Sequence, residues 1–256
     1  MKDNWVKNSL GYESGIEIYQ DKTMFNYSVD TILLGNFVTI NHRTKNVLEI
    51  GANNGALSIF VSERSKKIKI DAIEIQAKAV EIAKVNVEMN KKDEQISVIN
   101  SDFNIYAKEY AKKQGTKYDL IICNPPFYKV ETKPKRDVTE EMLIATHEFK
   151  LNLDQIFEGS SKIIEQKGAI ALVIPPERLV DIFVAMRKYN FEPKRVKMIF
   201  PRETQKPNLV LVEARFQAGW GTIFETNIYL HPEDKSVHKY TDEVFKIYKP
   251  IKLKEE

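Results

Sequence analysis

Residues 46–55 read Asn-Val-Leu-Glu-Ile-Gly-Ala-Asn-Asn-Gly, and this stretch decides the fold of the chain. Residues 46–50 have the short apolar pattern of a buried strand, and an apolar run with helical spacing begins at Leu57. Between them, Gly51 permits a tight turn and the close approach of a ligand, and Gly55 permits close packing of the helix. A strand, a glycine loop and a helix in this order predict an alternating α/β sheet with a ligand at the loop.

Strand and helix patterns alternate along most of the chain on both sides of this stretch. Strands are predicted at 46–50, 68–75, 96–99, 118–123, 169–174, 195–200 and 209–216, and helices at 57–64, 77–90, 140–149, 153–165 and 240–248. The alternation predicts a doubly wound α/β fold with helices on both faces of a mostly parallel sheet. The final two strands are joined by a short loop, so the last strand is expected to be antiparallel.

The first 40 residues are predicted to form a small appendage. Residues 16–19 and 23–25 alternate around a polar turn, which predicts a hairpin, and Ser28 is a candidate cap for a helix that runs to about Ile40. We therefore expect a hairpin and helix at 1–40, packed on a domain of residues 41–256.

Composition excludes several classes of protein. The chain has 256 residues, of which 43% are hydrophobic, so it can bury a sizeable core. Its single cysteine, Cys123, cannot form an internal disulfide and is expected to be a small buried residue, and four scattered histidines lack metal-ligand spacing. Neither a signal peptide nor a membrane span is predicted. These features favour a cytoplasmic, metal-free protein, which we expect to be a monomer.

Acidic residues stand at the ends of three successive predicted strands. Glu49 ends the first, Glu74 ends the second, and Asp102 follows the third. Glu74 can accept both hydrogens of a ribose diol, and Asp102 can accept from an adenine amine. A nicotinamide dinucleotide would need G-x-G-x-x-G, whereas this chain has G-x-x-x-G. S-adenosylmethionine carries a sulfonium, an ammonium and no phosphate, so acidic strand ends predict it as the cofactor.

The sequence Asn124-Pro125-Pro126-Phe127 follows the predicted strand 118–123 and indicates a chemistry. The two prolines make a rigid corner without backbone N–H groups. There, the side-chain carbonyl of Asn124 and the backbone carbonyl of Pro125 can accept both hydrogens of an NH2 group. Phe127 can stack on a flat substrate. The alternative is an ordinary Pro-Pro turn with a core phenylalanine.

These motifs together resemble class I S-adenosylmethionine-dependent methyltransferases, a Rossmann-like fold. The resemblance rests on Glu49–Gly55, Glu74, Asp102–Phe103 and Asn124–Phe127, the last of which matches the Asn/Asp-Pro-Pro-Tyr/Phe motif of amino-group methylation. It implies cofactor-binding roles for Tyr27, Asp30, Glu49, Gly51, Asn53, Gly55, Glu74, Ile75, Asp102, Phe103 and Asn124. The family usually has glycine where Asn53 stands, and Asn tolerates the left-handed backbone better than most residues.

Three further segments are similar to one bacterial family. Residues 25–34, Ala145–Glu148 and Tyr240–Asp242 resemble the enzymes that methylate N6 of the adenosine 3′-adjacent to the anticodon in valine tRNA. The resemblance implies the same reaction here, with Asn124, Pro125, Pro126 and Phe127 as catalytic residues and tRNA as the partner.

The distribution of charge fits a polyanionic partner. The chain carries a net charge of +3, and residues 187–206 hold seven basic and two acidic side chains. The residues predicted to contact tRNA phosphates are Lys129, Lys133, Lys135, Arg136, Arg195, Lys197, Arg202 and Lys206.

Three other functions remain open from the sequence. The same tetrapeptide class serves protein glutamine N5-methyltransferases, although those typically have tyrosine at the last position and a larger N-terminal domain. An rRNA guanine-N2 methyltransferase is the second alternative, and a catalytically inactive RNA-binding module is the third. Phe127 and the short N-terminal appendage favour an RNA substrate over a protein.

Overall fold

The computed structural model describes residues 4–11, 14–24, 26–113, 115–125 and 151–253. Within these ranges the strands are β1 (Trp5–Ser9), β2 (Glu17–Asp21), β3 (Asn46–Ile50), β4 (Lys69–Glu74), β5 (Ile96–Asn100), β6 (Tyr118–Cys123), β7 (Ile164–Ile174), β8 (Phe191–Phe200), β9 (Leu209–Phe216), β10 (Ile223–Phe224) and β11 (Ile228–Tyr229). The α-helices are α1 (Val29–Phe37), α2 (Ala56–Ser62), α3 (Ala77–Met89), α4 (Phe103–Lys112), α5 (Leu153–Ile163), α6 (Leu179–Lys188) and α7 (Asp242–Ile247). A single 3-10 turn, Pro176–Arg178, precedes α6.

The main sheet has the strand order β10-β8-β9-β7-β6-β3-β4-β5, with β11 also paired to β8. Strands β3 to β7 are mutually parallel, and β9 runs antiparallel to both β7 and β8. The predicted fold class is therefore confirmed. The antiparallel strand is inserted between β7 and β8, so it lies inside the sheet.

Both faces of the sheet are buried, and neighbouring residues of a strand face opposite sides. Val47, Leu120 and Ala171 belong to one core, which also contains apolar residues of α1, α2 and α7. Leu48 and Ile121 belong to a second core, beneath α4, α5 and α6. Parallel strands buried in this way read as continuous apolar runs, which is why 118–123 and 169–174 were recognisable in the sequence.

An N-terminal hairpin is present, as predicted, but its strands differ from the predicted ones. The partner of β2 is β1, with Trp5 opposite Asp21, whereas residues 23 and 24 belong to a turn. Ser28 does occupy the N-cap position of α1, but its side chain makes no capping hydrogen bond. Its hydroxyl donates instead to Asp30.

Some helices and strands were missed in the sequence, and some predicted segments lie outside the described residues. Helices α4 and α6 and the short strands β10 and β11 were not predicted. The predicted helix at 140–149 and the segment Ala145–Glu148 lie outside the described residues. Cys123 is fully buried, as expected of a small core residue. Among the described helices, none is long and apolar enough to cross a membrane.

Candidate active site

A pocket opens at the carboxyl edge of the parallel strands, where open α/β sheets bind ligands. The loops that follow β3, β4, β5 and β6 supply most of its wall, and the start of α1 and Leu151, just before α5, also contribute. It is lined by Tyr27, Thr31, Glu49, Ile50, Gly51, Ala52, Asn53, Asn54, Ala56, Leu57, Ile73, Glu74, Ile75, Gln76, Ser101, Asp102, Phe103, Asn124 and Leu151.

The glycine loop after β3 turns through three left-handed residues. Gly51, Asn53 and Gly55 have φ values of 74°, 48° and 79°. A Cβ atom on Gly55 would lie 3.4 Å from the Cβ of Ala83, so α2 packs close to α3 at this point. On Gly51 the same atom would meet nothing within 4 Å, which leaves that side of the turn open to a ligand. Asn53 adopts the left-handed conformation that its side chain tolerates better than most.

Glu74 joins two loops of the pocket through its carboxylate. One oxygen, Oε2, accepts the Asn53 backbone N–H at 2.9 Å, and Oε1 accepts the Gln76 backbone N–H at 2.8 Å. Burial raises the pKa of this carboxyl, and the two backbone hydrogen bonds oppose the shift. The carboxylate thus holds the glycine loop against the start of α3.

Glu49 is almost completely buried beneath the pocket, with 3% of its surface exposed. Burial raises its pKa to about 8, a hydrogen bond from the Ser58 hydroxyl opposes the shift, and the nearby charge of Glu74 adds to it. Burial therefore favours the protonated, neutral form of this carboxyl. A cation bound beside it would favour the ionised form.

Asp102 and Phe103 form the wall beyond β5. Asp102 is the N-cap of α4, and its Oδ1 accepts the backbone N–H of Asn104 at 2.7 Å. Phe103 is buried, whereas Ile75, in the loop after β4, is 38% exposed. The residue predicted to meet an adenine amine thus also begins a helix.

Asn124 follows β6 and faces the start of α1. Its Nδ2 donates to Asp30 Oδ2 at 3.3 Å, and Pro125 beside it is buried. The other catalytic candidates, Pro126 and Phe127, lie outside the described residues, as do Lys129, Lys133, Lys135 and Arg136.

Of the residues predicted to bind the cofactor, all line the pocket except Asp30, which contacts Asn124, and Gly55, which packs against α3. Sequence reasoning missed several lining residues. Gln76 and Ser101 follow strand ends, a signal that would have found them. Thr31 and Leu151 lie in segments whose approach to the strands carries no local signal.

Three of the four basic side chains predicted in the segment 195–206 are engaged within the chain. Arg195 pairs with Glu213 and Glu225, and Lys197 also pairs with Glu225. Arg202 is buried and donates to backbone carbonyls of the segment 232–237. These contacts give the three residues structural roles, and phosphate binding by them stays a prediction. Lys206 is exposed.

The charges of the pocket discriminate between cofactors. Among the described residues that line it, the ionisable side chains are Tyr27, Glu49, Glu74 and Asp102, without a lysine, arginine or histidine. Among these described residues, a pyrophosphate would meet no balancing cation. A phosphate-free cation such as S-adenosylmethionine fits these residues.

Several solved structures have a similar fold. A predicted O-methyltransferase from Agrobacterium tumefaciens has a TM-score of 0.67 at 20% identity, and the alignment covers 87% of this chain and 97% of that one. TYW2 from P. horikoshii, in complex with MeSAdo, has a TM-score of 0.54 at 16% identity, covering 85% and 73%. These likenesses show the fold, a doubly wound α/β sheet with a pocket at its strand ends.

Sequence comparison gives the family. The model of the methyltransferase small domain matches residues 17–178, and the chain belongs to that family. A relative from Flavobacterium psychrophilum, named tRNA1(Val) (adenine(37)-N6)-methyltransferase, is 27% identical over 240 residues, covering 93% of this chain and 96% of the relative. The predicted methyltransferase class is confirmed.

Proposed function

We propose that this chain transfers a methyl group from S-adenosylmethionine to N6 of an adenosine in tRNA, the one 3′-adjacent to the anticodon of valine tRNA. One observation carries the proposal: Asn124, the first residue of the amine-binding tetrapeptide, lines a pocket to which the described residues contribute the carboxyl groups of Glu49, Glu74 and Asp102 and no basic side chain. The name of the relative that matches 93% of the chain supports the choice of substrate. We also propose that the protein acts as a cytoplasmic monomer without a metal.

In this proposal, different residues of the pocket bind different parts of the cofactor. Glu74 would accept from the ribose hydroxyls and Asp102 from the adenine amine, while Glu49 and Tyr27 would line the methionine end. Gly51 leaves room for close approach. When bound there, S-adenosylmethionine supplies an electrophilic methyl group on a sulfonium.

Asn124 and Pro125 would prepare the adenine amine for attack. The lone pair of this nitrogen is delocalised into the ring, so it is a poor nucleophile. Hydrogen bonds from both amine hydrogens to the Asn124 and Pro125 carbonyls favour a pyramidal nitrogen with its lone pair directed at the methyl group. The nitrogen becomes acidic as it bonds to carbon, and its proton then leaves to solvent. A separate catalytic base is not required.

The base itself would be held by stacking. Phe127 is proposed to stack on the adenine, and bases of an anticodon loop are already unpaired, which lowers the cost of extruding one. The basic residues of the segment 129–136 and Lys206 are proposed to contact phosphates. Affinity for tRNA should then fall steeply as salt is raised.

The proposal is tested by incubating the protein with radiolabelled cofactor and, in parallel reactions, with unmodified total tRNA, ribosomal RNA or a protein extract, followed by mass spectrometry of the nucleosides or peptides. N6-methyladenosine beside the valine anticodon is expected. Methylated protein, N2-methylguanosine in rRNA, or no transfer despite RNA binding would instead identify one of the three alternatives.

A single variant tests the role of the tetrapeptide. Asn124→Ala removes the acceptor, so methyl transfer should fall at least about 100-fold. Calorimetric affinity for S-adenosylmethionine and the melting temperature should stay close to wild type, because cofactor and core are contacted chiefly by other residues. Near-normal turnover by this variant would refute the mechanism.

A further inference from the structure

Asp30 is a buried carboxylate that lies beside the proposed catalytic amide. It stands in the first turn of α1 with 4% of its surface exposed, and its Oδ2 lies 3.3 Å from Asn124 Nδ2. Its other oxygen, Oδ1, accepts from the Ser28 hydroxyl and from the Thr31 backbone N–H at 2.8 Å. Asp30 and Asn124 are 94 positions apart in the sequence, so the fold brings them together.

The chemistry of the pair determines how the Asn124 amide is oriented. Both carboxyl oxygens of Asp30 accept hydrogen bonds, whereas an amide has a donor end and an acceptor end. The donor end of Asn124 must therefore turn toward Asp30 Oδ2. Because the amide is planar, its carbonyl oxygen then points away from Asp30.

We propose that Asp30 is a positioning residue, which sets the Asn124 amide so that its carbonyl oxygen faces the substrate amine. This inference rests on the proposed function. Without Asp30 the amide can rotate by 180° and present its own NH2 to the amine, where two donors would meet. The acceptor that the reaction needs would then be lost while the residue itself remained.

The position of Asp30 is secured by the helix that carries it. Arg64 donates to the carbonyls of Gly35 and Val38 at the end of α1, both at 2.8 Å. A rigid support of this kind keeps an orienting group within the small tolerance that a catalytic amide allows. Helix α1 therefore contributes to the reaction although it precedes the sheet that holds the pocket.

The substitution Asp30→Asn tests the orientation directly. In this variant the side-chain oxygen of residue 30 best serves the two donors Ser28 and Thr31, so its NH2 faces Asn124 and turns that amide over. We expect kcat to fall about 100-fold while the affinity for S-adenosylmethionine, the KM for tRNA and the melting temperature change little. Asp21→Asn is the matched control, since Asp21 also accepts from a hydroxyl and a backbone N–H but lies at the end of β2.

A second test exchanges the carboxylate and the amide between positions 30 and 124. Asn124→Asp alone sets two carboxylates against each other and should be poorly active. Combined with Asp30→Asn, it restores a donor at position 30 and an acceptor at 124 with the same net charge, so kcat should recover at least about 10-fold over Asp30→Asn alone. A wild-type kcat in Asp30→Asn, or a double variant no more active than Asp30→Asn, would overturn the proposal.

A third measurement does not depend on the reaction. The side-chain NH2 resonances of Asn124, assigned by comparison with Asn124→Ala, should show slow hydrogen exchange in the wild type and faster exchange in Asp30→Asn. Equal exchange rates would refute the hydrogen bond. If the wild type methylates no tRNA but the exchange rates differ as expected, the proposed function fails and the orientation of the amide stands.

Discussion

At the scale of single residues, the buried carboxyl of Glu49 makes the stability of the protein depend on pH. Glu49 has a pKa of about 8 in the folded protein, above its ordinary value of 4.5, so folding favours its protonated form. The associated stabilisation is complete below about pH 4.5 and is lost as pH rises through 8. The unfolding free energy of the cofactor-free protein should therefore include a component that falls between these values, on the order of a few kcal/mol.

Replacing Glu49 by Gln should remove that component. Urea unfolding at about pH 5 and pH 8.5 measures it as the difference in unfolding free energy between the two conditions. The exposed Glu94→Gln serves as the control and should keep the wild-type difference. The same pH dependence in Glu49→Gln would show that another group is responsible.

Much of the pocket was predictable residue by residue, for a geometric reason. Glu49, Gly51 and Glu74 stand at the ends of recognisable apolar strands, and the carboxyl ends of parallel strands meet at one edge. The contact between Asp30 and Asn124 was not predictable in this way. It depends on where α1 packs, and the strand pattern says nothing about that.

At the scale of elements, the hairpin is attached to the sheet domain through α3. The fully buried Asn86 donates to the carbonyls of Tyr19 and Asn54, each at 2.9 Å, and accepts the Tyr19 N–H at 2.6 Å. The side-chain amide of Asn86 thus makes both backbone hydrogen bonds that a neighbouring strand would make to Tyr19 in β2. It also holds the glycine loop of the pocket through Asn54. Asn90 makes a similar but more exposed pair with Glu17.

The substitution Asn86→Ala should therefore destabilise the protein by about 2 to 3 kcal/mol, because one buried and two partly buried backbone groups lose their partner. Asn90→Ala, the matched control, should cost less than about 1 kcal/mol. Urea unfolding measures both, and hydrogen exchange at the Tyr19 amide should accelerate in the first variant. Equal losses would contradict the role of burial.

The helices and strands that sequence reasoning missed have weak or misleading patterns. Helix α4 buries only Phe103 and Ala107 fully, so its apolar stripe is thin. Helix α6 leaves Val180 and Val184 exposed, which spreads apolar residues around the helix and obscures the period. Strand β1 reads Trp-Val-Lys-Asn-Ser and does not alternate, so the hairpin was given the wrong partner.

At the scale of the whole molecule, the C-terminal segment binds the N-terminal helix. Asn36 Nδ2 donates to the Lys249 carbonyl at 3.1 Å, and its Oδ1 accepts the Ile251 N–H at 2.9 Å. Arg64 Nε donates to the Ile251 carbonyl at 3.0 Å. Two sets of contacts thus join residues 1–40 to the proposed domain of residues 41–256. Asn86 holds the hairpin, and the C-terminal segment holds α1.

Asn36→Ala should release the C-terminal segment. We expect a loss of about 1 to 2 kcal/mol in unfolding free energy and faster hydrogen exchange at the amides of residues 251–253. Asn41→Ala, in the loop after α1, removes a local hydrogen bond to Arg43 and should leave those amides unchanged. Unchanged exchange in Asn36→Ala would mean that the remaining contacts, such as those of Arg64, suffice.

The contact between residues 251 and 36 also determines when, during synthesis of the chain, the packing around α1 can be completed. The two residues are 215 positions apart. At ordinary rates of translation, about 10 to 40 s pass between the synthesis of one and the other. Until the later segment has left the ribosome, the helix that carries Asp30 lacks these partners. A nascent chain therefore completes these contacts of α1 only after residue 251 has emerged.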